Sequence, residues 1–268
     1  MKLANKVVVA TIIVAILCGL GTYFYVQTPS DWKDTPVTFH APLGMTSISA
    51  VLLLGATILF VMSLNSYKIR VRRAYTAIVI SIIMTAIGTA QLPVVNGFSL
   101  WNAPWVVYGG LGIPFIFGGL AAYIGTRSLA KIVGTETLLT RAWAVISSVV
   151  VLMILSTLLP HVTLLAGTTE FAYDLSNAVL VWSGLLYLVA GLVMLRVKDR
   201  IGAHYIRTMA WLSLGFLISF LIITILLTDG LFTTATQDPV TDLSDMLIII
   251  AGLLFMKAGY EFYRTTGY

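Results

Sequence analysis

The residues of this chain that could carry chemistry are few. Three histidines, His40, His161 and His204, and one cysteine, Cys18, occur among its 268 residues. His40 and His161 fall on the same side of the apolar segments described below, and imidazole nitrogens with a nearby carboxylate, Glu170 or Asp174, could ligate a first-row metal. Their spacing matches no ligand motif, so the expected metal site is an outer-face pair and nothing larger. Haem between helices needs axial side chains inside a bundle, and no histidine stands in the middle of an apolar segment. The lone Cys18, inside the first apolar segment, excludes an internal disulfide and any multi-cysteine metal site.

Lys257 and Glu261 are the ionisable residues placed clearly inside an apolar segment, where charge points to ion or proton handling. One helical turn separates them, so they can neutralise each other, and Lys257 lies close enough to the segment's end to reach a headgroup layer. No phosphate-binding loop, nucleophile elbow, zinc-protease helix or dinucleotide fingerprint is present. No cofactor is called for by any motif.

The elements that must position these residues are set by composition. With 59% hydrophobic and 10% charged residues and a mean hydropathy of +0.96, the chain lies outside the soluble range, where charged residues alone reach about a quarter. Eight apolar segments of near-spanning length occur at about 7–26, 44–64, 74–95, 104–125, 142–164, 176–195, 208–228 and 243–263. They are continuous, without the alternation of a membrane barrel. The expected fold is therefore an all-α, polytopic membrane protein, a single bundle of eight transmembrane helices.

Assigning loops alternately to two sides puts fifteen of the sixteen Lys and Arg on one side, with only Lys33 opposite, and eight of the eleven acids on the other. Basic residues mark the cytoplasmic side, so both termini are expected there, in a plasma membrane. The net charge of +5 is thus a sign of orientation and not of nucleic-acid binding.

The sixth and eighth segments repeat one another. Residues 174–196 and 242–264 share nine of 23 positions without a gap, including Asp-Leu-Ser, Gly-Leu-Leu and Ala-Gly. This predicts a parallel helical-hairpin repeat. Asp174 or Ser176, and Asp242 or Ser244, are expected to cap the two helices. Small residues at helical spacing mark expected packing faces: Ala77, Ser81, Thr85 and Thr89; Gly110, Pro114, Gly118 and Ala122; Gly184 with Gly191; and Gly252 with Gly259. Pro114 is further expected to kink the fourth helix.

With chemistry-bearing residues scattered and packing residues abundant, the sequence favours a non-catalytic membrane subunit, embedded in lipid and packed against other membrane protein subunits. The alternatives are a small-solute or ion transporter or channel, and a sensor module that signals through a separate partner.

Overall fold

The computed structural model describes residues 3–27, 42–97, 113–138, 140–143, 145–148, 169–202, 205–232 and 239–266. Among them the chain is helical, in seven long helices: α1 (Leu3–Gln27), α2 (Pro42–Leu64), α3 (Ile69–Gly97), α4 (Ile113–Val133), α5 (Thr169–Lys198), α6 (Ile206–Phe232) and α7 (Pro239–Thr265). Further helical residues at 140–143 and 145–148 belong to the fifth apolar segment, whose remainder lies outside the described residues. Six helices, α2 to α7, are long and apolar enough to cross a membrane.

Local chemistry explains several boundaries. Pro42 and Pro239 open α2 and α7, the first helical position being where a missing N–H costs nothing. The expected Asp caps are corrected here: α5 already begins at Thr169 and α7 at Pro239, so Asp174 and Asp242 stand inside helices that start upstream of them. The fourth helix also runs past the expected end at 125. Arg127, Ser128 and Lys131 end the apolar run without ending the helix, because such side chains continue a helix readily. Gly134 ends it, with φ of +76°, while Thr135 N donates to Ala130 O at 2.8 Å and Gly134 N to Lys131 O at 3.4 Å. That is a Schellman termination, which needs the left-handed residue glycine supplies. Thr137 begins the next helical stretch, its hydroxyl accepting from Thr140 N at 3.2 Å.

The helices form a closed ring. Each of α2, α3, α4, α5, α6 and α7 packs on the next, and α7 returns to α2. α1 stands outside, against α2 with a slight contact to α7. Neighbours in the ring run antiparallel except at two seams, α7/α2 and α4/α5. Both seams use the same device. Ser49 on α2 donates to the Ile248 carbonyl on α7 at 2.8 Å, and Ser183 on α5 donates to the Phe115 carbonyl on α4 at 2.7 Å. One turn beyond each carbonyl stands a glycine. A Cβ on Gly252 would sit 3.0 Å from Ser49 Oγ and 3.2 Å from Leu52 Cβ; one on Gly119 would sit 3.1 Å from Ser183 Oγ and 3.3 Å from Leu186 Cβ. The ring is therefore two three-helix runs, α2–α4 and α5–α7, joined twice by the same contact.

The outside of each seam is covered in a similar way. α1 brings Thr11 against Gly55, close to Met256. At the other seam, Tyr123 on α4 donates to Thr140 O at 2.6 Å, Trp143 donates to Leu185 O at 3.3 Å, and Trp182 donates to Ser147 Oγ at 3.0 Å.

This arrangement is out of step with the sequence repeat. The repeat aligns Gly184 and Gly191 with Gly252 and Gly259, yet the first pair faces α6, at Ile223, Leu217 and Ser213, while the second faces α2, at Leu52, Ala56 and Leu59. Both pairs allow close approach, but to neighbours in different positions. By contact, the counterpart of Gly252 is Gly119.

The exterior is as apolar as the interior, unlike that of a water-soluble protein. Leu54, Ile58 and Val61 on α2, Phe117 and Ile124 on α4, Leu214 and Leu221 on α6, and Ile250 and Leu253 on α7 all point outward. Thr46, Ser49, Ser63, Ser81, Thr126, Ser183, Thr208 and Ser213 are buried. Many of these and other hydroxyls bond within their own helix: Thr57 to Leu53 O, Ser63 to Leu59 O, Thr126 to Ala122 O and Ser219 to Gly215 O, at 2.8–2.9 Å.

The seam glycines can be tested directly. Gly119→Leu and Gly252→Leu each force a branched side chain against the neighbouring serine and leucine, and overpacking of this kind costs about 1–3 kcal/mol. Thermal unfolding in detergent should show both variants destabilised by similar amounts. Gly202→Ala, where an added Cβ meets nothing within 4 Å, should leave the midpoint unchanged.

Candidate functional site

The six ring helices enclose a small cavity whose exposed surface is almost wholly apolar. Every ring helix contributes to its wall. The hydroxyl-bearing residues are Ser49 from α2, Thr85 and Thr89 from α3, Tyr187 from α5 and Ser219 from α6. The apolar wall is Leu53, Phe115, Ile222, Ile223, Ile248 and Ala251. All eleven are buried, and none is ionisable at neutral pH. The helix directions place this cavity in the half of the ring away from the basic residues. Toward the basic end the interior is filled instead. The rings of Tyr187 and Phe216 lie 6.0 Å apart, and those of Phe216 and Phe255 5.3 Å apart.

Tyr187 makes the hydrogen bond that joins α5 to α3 beside the cavity. It is fully buried, and its hydroxyl lies 2.7 Å from Thr85 Oγ1. Thr85 Oγ1 also donates to Ser81 O at 2.9 Å. Space for the phenol is left by Gly118, where an added Cβ would collide with the Tyr187 hydroxyl. Ser81 Oγ is buried beside this group and makes no hydrogen bond of its own.

The small-residue faces read from the sequence stand as follows. Ser81, Thr85 and Thr89 are buried, and Ala77 is half-buried. Pro114, Gly118 and Ala122 are buried, Gly118 between α3 and α5 beside Met84 and Tyr187. Gly110 lies outside the described residues, as does the segment just before Ile113, so the expected kink falls where nothing is described. The expected metal pair, His40 and His161, also lies outside the described residues.

Lys257 and Glu261 are brought together. Lys257 Nζ lies 2.9 Å from Glu261 Oε1, with the lysine side chain 46% exposed and the glutamate side chain 7%. The ammonium also stands 5.4 Å from the centre of the Tyr260 ring, within cation–π range. The buried carboxylate is thus balanced by a lysine that reaches outward.

A second carboxylate, which sequence reasoning did not single out, is Glu136 in the turn after α4. Arg127 Nε lies 3.0 Å from Glu136 Oε1 and Arg141 Nε 3.1 Å from Glu136 Oε2. The hydrogen bond from Arg127 holds the Glu136 carboxyl below its ordinary range, and the charge of Arg141 acts in the same direction. This clamp ties the end of α4 to the start of the next helical stretch. Nearby at the same end of the ring, Tyr67 stacks on Phe262 with ring centres 4.9 Å apart and touches Tyr75 and Tyr205. Burial raises the Tyr67 phenol well above its ordinary range, so it stays neutral.

Ser49, Tyr187 and Ser219 are the hydroxyl-bearing cavity residues that sequence reasoning missed. A signal for Ser49 is present: Ser-x-x-Leu-x-Leu-x-Ala occurs at 49–56 and again at 183–190. Among the described residues, no three of His, Cys, Asp and Glu come together as a metal site. No protein-family model matches the chain, and no curated protein or solved structure shows detectable similarity to it.

The Glu136 clamp makes a pH prediction. A carboxyl held low in the folded state adds stability in full above the unfolded value of about 4.3 and loses it as pH falls through the lower folded value. Thermal midpoints measured from about pH 6 down to pH 3 should therefore fall more for the native chain than for Glu136→Gln. Parallel curves would mean that the clamp contributes nothing to folding.

Proposed function

We propose that this chain is a multi-pass integral membrane protein of eight spans, with its basic end and both termini in the cytoplasm, acting as a non-catalytic subunit within a larger membrane complex. The observation that carries the membrane reading is the apolar outer surface. Apolar side chains at i, i+4 and i+7, such as Leu54, Ile58 and Val61, face outward around the ring, while hydroxyls such as Ser49, Ser81, Ser183 and Ser213 are turned in. Lipid tails or the apolar helices of another membrane protein suit such a face, and water does not.

The helix directions collect Lys68, Arg70, Arg72 and Arg73 with Arg127, Lys131, Arg196, Lys198, Arg207 and Arg264 at one end of the ring. That distribution supports a cytoplasmic assignment for that end. The non-catalytic reading is supported by how the reactive groups are used. Lys257 neutralises Glu261, two guanidinium groups hold Glu136, and Tyr187 is bonded to Thr85.

A second reading, a small-solute transporter, is favoured by one observation. The cavity lies between two halves joined by equivalent seams, and transporters built from parallel repeats hold their substrates between the halves.

Orientation is tested by accessibility. In a Cys18→Ala background, single cysteines at Ser66 and Thr234 should be labelled by an impermeant reagent from opposite faces of sealed vesicles. Labelling of both from one face would overturn the eight-span arrangement. Purification in mild detergent from the native membrane should recover a second membrane protein in fixed stoichiometry. Recovery of a lone chain that supports solute flux after reconstitution would replace the subunit reading with the transporter one.

A further inference from the structure

We propose that the clamp at the basic end of α4 is a binding site for an anionic phospholipid, whose phosphate is held by Arg127 and Arg141. The inference rests on the reading of that end of the ring as lying in the headgroup layer of a membrane, and it adds which lipid chemistry the protein selects there.

Glu136 commits both carboxylate oxygens to the clamp. Arg127 Nε lies 3.0 Å from Oε1 and Arg141 Nε 3.1 Å from Oε2, and the two arginine side chains remain 41% and 58% exposed over the covered carboxylate. A guanidinium carries five N–H donors, and Nε supplies one of them. Four on each arginine are left for other partners, and the Tyr123 hydroxyl beside Arg127 is one further acceptor, too few to use them. The carboxylate thus fixes two planar forks without exhausting them. A fork already held in place loses little freedom when it meets a phosphate, and its paired N–H groups match the phosphate oxygens.

Charge points the same way. Lys131 stands one helical turn beyond Arg127 on the same side of α4 and is exposed. Three cations therefore surround one carboxylate, and Glu136 is the only acid between Asp34 and Glu170 in the sequence. The excess of positive charge selects an anion.

The flanking surface selects a lipid over a free phosphate. Leu138, Arg141 and Val145 follow at i, i+3 and i+7, a spacing that puts them on one side of the next helical stretch, and Leu138 and Val145 are both exposed. That stretch runs away from the basic end, so Val145 lies two turns deeper than Leu138. Ile132 on α4 is exposed beside the same turn. A soluble phosphate would leave this apolar strip uncovered, whereas a phospholipid lays an acyl chain along it while its phosphate meets the guanidinium groups.

The test is native mass spectrometry of the full chain in non-ionic detergent, titrated with dioleoylphosphatidylglycerol or dioleoylphosphatidylcholine, which share acyl chains and a phosphate but differ in net charge. Phosphatidylglycerol is expected to bind about tenfold more tightly. Arg127→Ala and Arg141→Ala should each weaken it by roughly tenfold, the loss of a charge-assisted hydrogen bond. Arg141→Lys, which keeps the charge and lacks the fork, should weaken it by a smaller factor and gives a readout even where an alanine variant does not fold. Arg264→Ala removes the same charge from α7, across the ring, and should change nothing. A tenfold excess of inorganic phosphate, added as its ammonium salt, should not displace the lipid. Equal binding of the two lipids, native-like binding by Arg141→Ala or Arg141→Lys, a loss on Arg264→Ala as large as on Arg141→Ala, or displacement by phosphate would each overturn the proposal. Labelling of Ser66→Cys and Thr234→Cys from one face would instead overturn the eight-span arrangement and leave the lipid preference standing.

Discussion

A helix bundle with an apolar exterior cannot be held together by apolar burial in the way a soluble core is, because in lipid the outside is as apolar as the inside. Close backbone approach and hydrogen bonds between helices must do that work. In this chain two such contacts stand at the parallel seams, Ser49 to Ile248 and Ser183 to Phe115, each with a glycine one turn on, and a third, Ser213 to the Gly191 carbonyl at 2.8 Å, joins α6 to α5. The antiparallel contacts between neighbouring helices are brought together by connections within each run. The seams have no such help at α7/α2, where the joined helices stand at opposite ends of the ring's sequence. If the serine-to-carbonyl contact and the glycine beside it are lost, the ring opens and the cavity loses a wall.

The same economy of hydroxyl protons recurs inside the ring. Ser49 holds the seam and borders the cavity in one act, its proton joining α2 to α7. Thr85 and Ser219 spend their protons on their own helix backbones, and Tyr187 spends its proton on Thr85. These hydroxyls satisfy their donors inside the bundle, while Ser81 Oγ and Thr208 Oγ1 are buried without a hydrogen-bond partner. Gly118 contributes by absence, since only a residue without a side chain leaves room for the Tyr187 phenol.

Much of the helical framework was legible in the sequence because apolar length and basic asymmetry are properties of single segments. The segment limits at 44–64, 74–95, 176–195, 208–228 and 243–263 fall within described helices that extend a few residues beyond them. Where the reading slipped, the cause was local. Arg127 and Lys131 end an apolar run but continue a helix, so α4 reaches Val133; and the acids at 174 and 242 mark the start of apolarity, not of helix. The ring itself was not legible, because which helices meet depends on contacts distant in sequence. The strong identity between 174–196 and 242–264 pointed to α5 and α7 as counterparts, whereas the contacts pair Gly119 with Gly252 and Ser49 with Ser183. The shorter match of 49–56 with 183–190 carried that information with fewer identities. Tyr187 escaped notice because a tyrosine in an apolar segment is unremarkable until its hydroxyl is seen to meet Thr85 from another helix.

The central claim is that two equivalent seams close the ring around the cavity. Disulfide trapping in native membranes tests it most directly, since a bridge forms readily where Cβ atoms lie about 3.5–4.5 Å apart without backbone movement. In a Cys18→Ala background, the pairs Leu52→Cys with Gly252→Cys and Leu186→Cys with Gly119→Cys bring Cβ positions 3.2 and 3.3 Å apart, close enough to bridge after a small relaxation. Both pairs should cross-link rapidly under mild oxidation, while Leu52→Cys with Gly119→Cys should not. Cross-linking at only one seam, or of the mismatched pair as readily as the matched ones, would contradict the closed ring.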